Sequence, residues 1–183
     1  MVELIKGKTT TMPEAHSGEG VFFTSRIADR FSVRSHRIEL EWDRARDDAF
    51  VSDVRQTRGT RVHFQLRRDA RQTLEKLFET YAPAHYDFQF QKTKVNVKLL
   101  RSDYVSRSEA RRLLISLDKF REVILDFKAV KSVGQGFADE VFRVFASRHP
   151  EVSVDFVNAG RGVAAMLKHA GALGKPAVAN EDD

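Results

Sequence analysis

The second half of the chain, residues 85–171, is predicted to form an α/β domain with a mostly parallel sheet and helical crossovers. Three segments predict it. Lys94-Val95-Asn96-Val97-Lys98-Leu99 alternates polar and apolar residues, the pattern of a half-buried strand. Val123-Ile124-Leu125-Asp126-Phe127 is a nearly continuous apolar run of the kind a buried parallel strand requires. Val152-Ser153-Val154-Asp155-Phe156-Val157 is a third strand. Helix-period segments separate and follow these strands, and that alternation favours parallel strands joined by crossovers.

The helices have start and stop signals. Ser106-Arg107-Ser108-Glu109 is a capping box, in which the Ser oxygen and the Glu carboxylate satisfy orphan backbone donors. Behind it Ala110, Leu113, Leu114, Leu117 and Phe120 keep one face apolar. Gly134-Gln135-Gly136 opens a helix with Phe137, Val141, Val144 and Phe145 on one face, stopped before Pro150. Asn158-Ala159-Gly160-Arg161-Gly162 turns into a last helix ending at Gly171. Residues 172–183 read as a polar, flexible tail.

The N-terminal half, residues 1–82, is less self-contained. Gly18-Glu19-Gly20 opens an apolar stretch, Val21, Phe22, Phe23, Ile27 and Phe31, that suits a helix. Ile38, Leu40 and Trp42 alternate, as do Val62, Phe64 and Leu66, which predicts two strands around a charged connection from Asp43 to Arg58. Asp69 and Gln72 resemble a capping box before the stripe Leu74, Leu77, Phe78 and Tyr81. Pro83-Ala84 marks a boundary, and Tyr86, Phe88 and Phe90 alternate beyond it as a further strand. Lacking sheet partners, this half is expected to expose Phe22, Phe23 and Trp42 and to favour self-association, including a homodimer.

Composition narrows the function classes. Of 183 residues, 42% are hydrophobic and 31% charged, the balance of a globular protein with a core. With no Cys, disulfides, thiol nucleophiles and thiolate metal sites are excluded. No apolar run approaches the ~20 residues of a membrane span, and Met1-Val2-Glu3-Leu4-Ile5-Lys6 lacks a signal-peptide core. A cytoplasmic address without membrane contact is the expectation. The net charge of +5 splits into +2 for residues 1–92 and +3 for the rest, which does not predict a nucleic-acid face. The six His residues show no metal-ligand spacing. Asp139-Glu140 could be an acid/base pair, but acids in a first helical turn are also what a helix dipole favours. No catalytic residue and no metal site are predicted.

Three blocks carry a family resemblance: Val105 to Ala110, Val123 to Phe127, and Ser132-Val133-Gly134-Gln135-Gly136-Phe137-Ala138-Asp139-Glu140-Val141-Phe142. Together they resemble a bacterial STAS-like domain of unknown function, over roughly Asp87 to Gly171. Residues 1–82 resemble the back end of the histidine-kinase-like ATPase fold that precedes such domains, an incomplete α+β remnant. Gly18-Glu19-Gly20 looks like its second glycine box, and Gly59-Thr60 like its third. The resemblance implies that Gly18, Gly20, Gly59 and Thr60 are vestigial phosphate contacts, since glycines and a helix start can cradle an anion. Each glycine is equally explained by a tight turn.

Departures from these families decide what the resemblance can mean. The adenine-binding Asp-x-Gly-x-Gly box and the magnesium-binding Asn are missing. The expectation is no cofactor for the chain as it stands, with ATP and Mg only if another chain or upstream residues complete the site. Related anti-sigma-factor antagonists carry a phosphorylatable Ser where this chain has Gln135 or Gly136, so no phosphorylation switch is expected. The favoured reading is a non-catalytic regulatory module that contacts a protein partner through Gly134, Gln135, Gly136 and Phe137. Half of a split ATP-binding regulator and a nucleic-acid-associated regulator stay open as alternatives.

Overall fold

The computed structural model describes residues 2–99 and 103–172. The expected tail from Lys175 lies outside them. The chain divides into two compact units, Met1–Thr93 and Lys94–Asp183.

The first unit contains α1 (Val2–Lys6), α2 (Gly20–Ile27), an antiparallel pair β1 (Arg30–Asp43) and β2 (Asp48–Gln65), and α3 (Leu74–Tyr81). The connection between the strands is only Arg44 to Asp47, so the charged segment expected as a linker is mostly strand. It was masked because β2 is exposed along most of its length and carries no apolar alternation there. Phe31 begins β1 instead of closing α2.

The long pair is folded back on itself. The backbone N–H of Arg44, at the tip, donates to Asp29 O at the base (3.0 Å), while Asp29 N–H donates to Gln65 O (2.9 Å). Ser32 donates to Glu39 across the fold at 3.2 Å. The reversal falls at His36, which adopts φ 54°, between register shifts at Ser35 and Ile38.

Helix α2 covers this ribbon with Phe22 and Phe23, both buried. Phe22 meets Tyr81 at 4.9 Å and Phe90 at 4.5 Å, and Phe23 meets Phe78 at 4.6 Å. The Arg26 guanidinium lies 3.8 Å over Trp42, itself 4% exposed. The expectation that Phe22, Phe23 and Trp42 are exposed is therefore overturned: the helices and the folded ribbon supply the cover that sequence-local reasoning could not see. Burial of an aromatic of this size is worth about 1.5–3 kcal/mol. The cap of α3 is Thr73, which accepts from Lys76 N–H, and not Asp69, which pairs with Arg67. The strand expected at Tyr86 to Phe90 does not form. Ala84–Tyr86 is a 3-10 turn, and Asp87 and Phe88 both take positive φ.

The second unit is the α/β domain. Strands β3 (Lys92–Asn96), β5 (Glu122–Asp126) and β7 (Ser153–Val157) form a sheet in the order β3-β5-β7, with β5 and β7 parallel. A second, two-residue parallel pair joins β4 (Asp103–Tyr104) to β6 (Ser132–Val133). Helix α4 (Arg107–Leu114) starts at the expected capping box, Glu109 Oε2 accepting from Ser106 N–H at 2.8 Å. Helix α5 (Gln135–Asp139) runs through a π segment, Glu140–Phe145, into α6 (Ala146–Arg148), and α7 (Arg161–His169) closes the domain. Val95, Leu113, Leu117, Phe120, Leu125, Phe127, Phe137, Val141 and Leu167 form its core.

Candidate functional site

The turn from β6 into α5 is built by close backbone approach. Gly134 N–H donates to Tyr104 O, and a Cβ at Gly134 would stand 2.6 Å from Val105 O. Only a residue without a side chain fits there. Gly136 lies inside α5 with helical φ, and a Cβ on it would meet Val105 O at an ordinary 3.5 Å. Gly136 therefore does not take the positive φ that would demand a glycine there. Phe137 points inward, fully buried, 4.9 Å from the Tyr104 ring and 6.5 Å from Phe127. Of the four turn residues, Gln135 alone presents an exposed side chain. Val105, 64% exposed, brings its backbone against the glycines on either side of Gln135.

Arginines clasp the acids of α5 and the π segment. Asp139 accepts from Arg107 at 2.9 Å, on α4, and from Arg143 one turn on. Arg143, with Arg107 helping, holds the Asp139 carboxyl below the usual carboxylate range. Glu140, 3% exposed, accepts from Arg111 Nε at 2.8 Å. Both acids are thus committed to guanidinium partners, Asp139 to Arg107 and Arg143 and Glu140 to Arg111. Beside Glu140 a concavity of about 240 Å³ is lined by Leu114, Ile115, Val144, Phe145 and His149.

At the carboxyl end of β5 the buried Asp126 gathers three donors. Its Oδ1 accepts from Lys128 N–H (2.9 Å) and Asn158 Nδ2 (2.9 Å). Its Oδ2 faces the Lys94 ammonium at 3.0 Å, an ionic contact and not an aligned hydrogen bond. Lys94 comes from β3 and Asn158 follows β7 in a left-handed conformation, φ 55°. This carboxylate ties together three neighbouring strands and so serves as an anchor of the sheet.

With this geometry set out, one comparison bears on the second unit. Residues 109–163 match the family model of a STAS-like domain of unknown function (DUF4325). No curated protein and no solved structure matches the chain. The matched STAS-like segment takes in Asp126, the Gly134–Phe137 turn, both clasped acids and the start of α7. It leaves out Lys94 and the whole of residues 1–108, so the kinase-like reading of residues 1–82 gains no support from it.

The glycines singled out in the first unit stand on different elements. Gly18 has φ 72°, and a Cβ on it would stand 2.6 Å from the Thr9 backbone, a tight-turn requirement. Gly20 starts α2 with open space around it. Gly59 and Thr60 lie within β2 at the irregular stretch opposite Ser35 and His36, where Thr60 donates to Ser35 Oγ at 3.4 Å. They precede no helix. No group of three or more His, Asp or Glu among the described residues is placed to hold a metal ion. None of their helices is long and apolar enough to cross a membrane.

Sequence reasoning missed two features. The Asp126 anchor was legible only as an acid inside an apolar strand. The charge was averaged over halves, which hid its concentration on the last part of β2 and the segment that follows it. From Arg55 to Arg71 six arginines meet one acid, Asp69, a net +5 equal to that of the entire chain.

Proposed function

We propose that the second unit is a non-catalytic regulatory module that recognises a protein partner through the Val105–Gln135 surface at the start of α5. The observation that supports this most is the pairing of Gly134 and Val105. A side chain has been given up so that the backbone of an exposed valine can approach the turn that carries the exposed Gln135 at the start of a helix. That is costly geometry for a mere connector, and Gly134 and Gln135 lie within the STAS-like segment. Catalysis is a weaker reading, because the buried carboxylates Asp126 and Glu140 are committed to Lys94, Asn158 and Arg111. The arrangement suits a signalling role in which a partner reads the surface without chemistry.

The test places a photo-reactive amino acid at Gln135 and, separately, at exposed Lys128, in the full chain expressed in its host. A discrete cross-linked partner at Gln135 that disappears with Val105→Glu is the expected result. Equal cross-linking from both positions, or none from Gln135, removes this surface from the reading. Calorimetry with ATP and Mg addresses the nucleotide alternative: flat titrations are expected, and one-to-one micromolar binding overturns the non-catalytic assignment.

A further inference from the structure

On the first unit, and independently of the surface above, we propose that the outer edge of β2 from Thr60 to Gln65, with Leu66 just beyond it, is a docking edge for an extended acidic segment of another protein. Three observations converge there.

The edge is open. Among the described residues β2 has one partner, β1, so its other side presents unpaired backbone donors and acceptors. The stretch Thr60 to Gln65 pairs with Arg30 to Ser35 in unbroken register, so the edge is straight where it is open.

Its two faces differ in the way an added strand would read. Phe31 and Val33 on β1 are covered, but their partners across the pair, Phe64 and Val62, are 45% and 59% exposed, and Leu66 is 48% exposed. The apolar layer stops half-way across β2. The opposite face carries Arg61, His63 and Gln65 beside Arg30 and Arg34, around a concavity of about 300 Å³. A strand added alongside would set alternate residues against these two faces: apolar ones to extend the layer over Val62 and Phe64, polar ones towards the arginines.

Charge then selects the occupant. From Arg55 to Arg68, along the strand and just past its end, the chain carries no acid at all. Among the described residues no ion pair engages Arg58, Arg61 or Arg68. The acids of the concavity, Glu39 and Glu41, stand on β1 beyond its reversal at His36, where Glu39 is engaged by Ser32. A second copy is a poor occupant: antiparallel pairing centred on His63 would oppose Arg58 to Arg68. A nucleic acid would satisfy the arginines but leave the backbone edge and the Val62–Phe64–Leu66 row unanswered. A segment alternating acidic and apolar residues satisfies all three.

The experiment titrates the full chain with fluorescein-labelled peptides of about ten residues, the length of a long strand. One alternates Glu and Val, one alternates Lys and Val, and one is all Glu. An oligothymidylate is the fourth probe. Saturable binding of the Glu/Val peptide alone is expected, with slowed amide exchange confined to Thr60–Leu66. Combined Arg61→Glu and Arg68→Glu, both on the exposed surface, should weaken it on the order of tenfold and flatten its salt dependence. Any of four results overturns the proposal: no binding of the Glu/Val peptide, equal binding of the Lys/Val peptide, binding of poly-Glu or oligothymidylate as tight as that of Glu/Val, or protection outside Thr60–Leu66.

Discussion

The guanidinium of Arg30 stands 3.6 Å from the carboxylate of Asp43, at the opposite end of the same β-strand. A straight strand would separate these residues by about 43 Å, so the ion pair records a reversal, and the reversal is at His36. A β-branched residue there should suffer. His36→Val is expected to cost about 1–3 kcal/mol, because the left-handed backbone disfavours it. His36→Gly should be neutral or slightly stabilising. Urea unfolding followed by Trp42 fluorescence reads both, and equal effects would mean the bend is not confined to that residue.

The two glycines of the β6–α5 turn make opposite predictions. Gly134→Ala forces a Cβ against Val105 O and should destabilise by about 1–3 kcal/mol. Gly136→Ala meets only ordinary contacts inside a helix and should stabilise by roughly 0.5–1 kcal/mol. Chemical denaturation of the two variants side by side checks the sign of each.

Removing the Asp126 carboxylate should loosen the strand ends together. Asp126→Ala leaves the Lys94 ammonium, 22% exposed, without its counter-charge, at a cost of about 3 kcal/mol. Asp126→Asn keeps an oxygen for Lys128 N–H and Asn158 and should cost less. Loss of amide protection at Lys94 and Asn158 in the alanine variant would accompany the loss of stability.

Lys6 makes a prediction about pH. Its side chain is fully buried, paired with Glu3 at 2.7 Å, and burial pushes its pKa below the ordinary 10.5 despite the opposing pull of Glu3. Between the lowered pKa and 10.5 the unfolded chain binds more protons than the folded one, so this group makes stability rise with pH across that window. Below it the penalty is fully present. Replacing the pair by Glu3→Gln with Lys6→Met should therefore stabilise at pH 7, on the order of 1 kcal/mol. The gain should shrink as the pH approaches 10.5. A gain constant from pH 7 to 10 would contradict it.

A chain running from Ala84 to Asp183 contains β3, β5 and β7 with their helices and is expected to unfold in one cooperative urea transition. A broad transition would show that this stretch depends on the residues before it.

What the sequence made legible follows a physical line. The second unit was read almost element by element because each piece carries its own signal: the Ser106–Glu109 box, the apolar run into Phe127, the glycines before Phe137. These signals are local, and the α/β fold uses them without revision. The first unit was misread wherever a long-range partner decides the outcome. Nothing near Val51 to Thr57 announces a strand, since both faces of that stretch are exposed and its order comes from β1. Phe88 sits in an alternating pattern, yet positive φ at Asp87 and Phe88 breaks the chain away from extension. The candidate site divided in the same way. Gln135 was placed at the surface by its turn, whereas the packing of Phe137 on Tyr104 and the approach of Lys94 and Asn158 to Asp126 depend on residues more than thirty positions distant.

The folded-back ribbon also sets an order of events. Its innermost contact, Asp43 with Asp48, is closed by a four-residue connection, and the pairing can zip outward from there. Hairpins of this kind form in about 1–10 μs. In the second unit the first β5–β7 contact, Glu122 with Ser153, must wait for the whole helical crossover between them. During synthesis the ribbon can therefore be finished while the parallel sheet still lacks its last strand. The nascent chain passes through a stage in which the arginine-rich edge of β2 is already displayed and the α/β unit is not yet assembled.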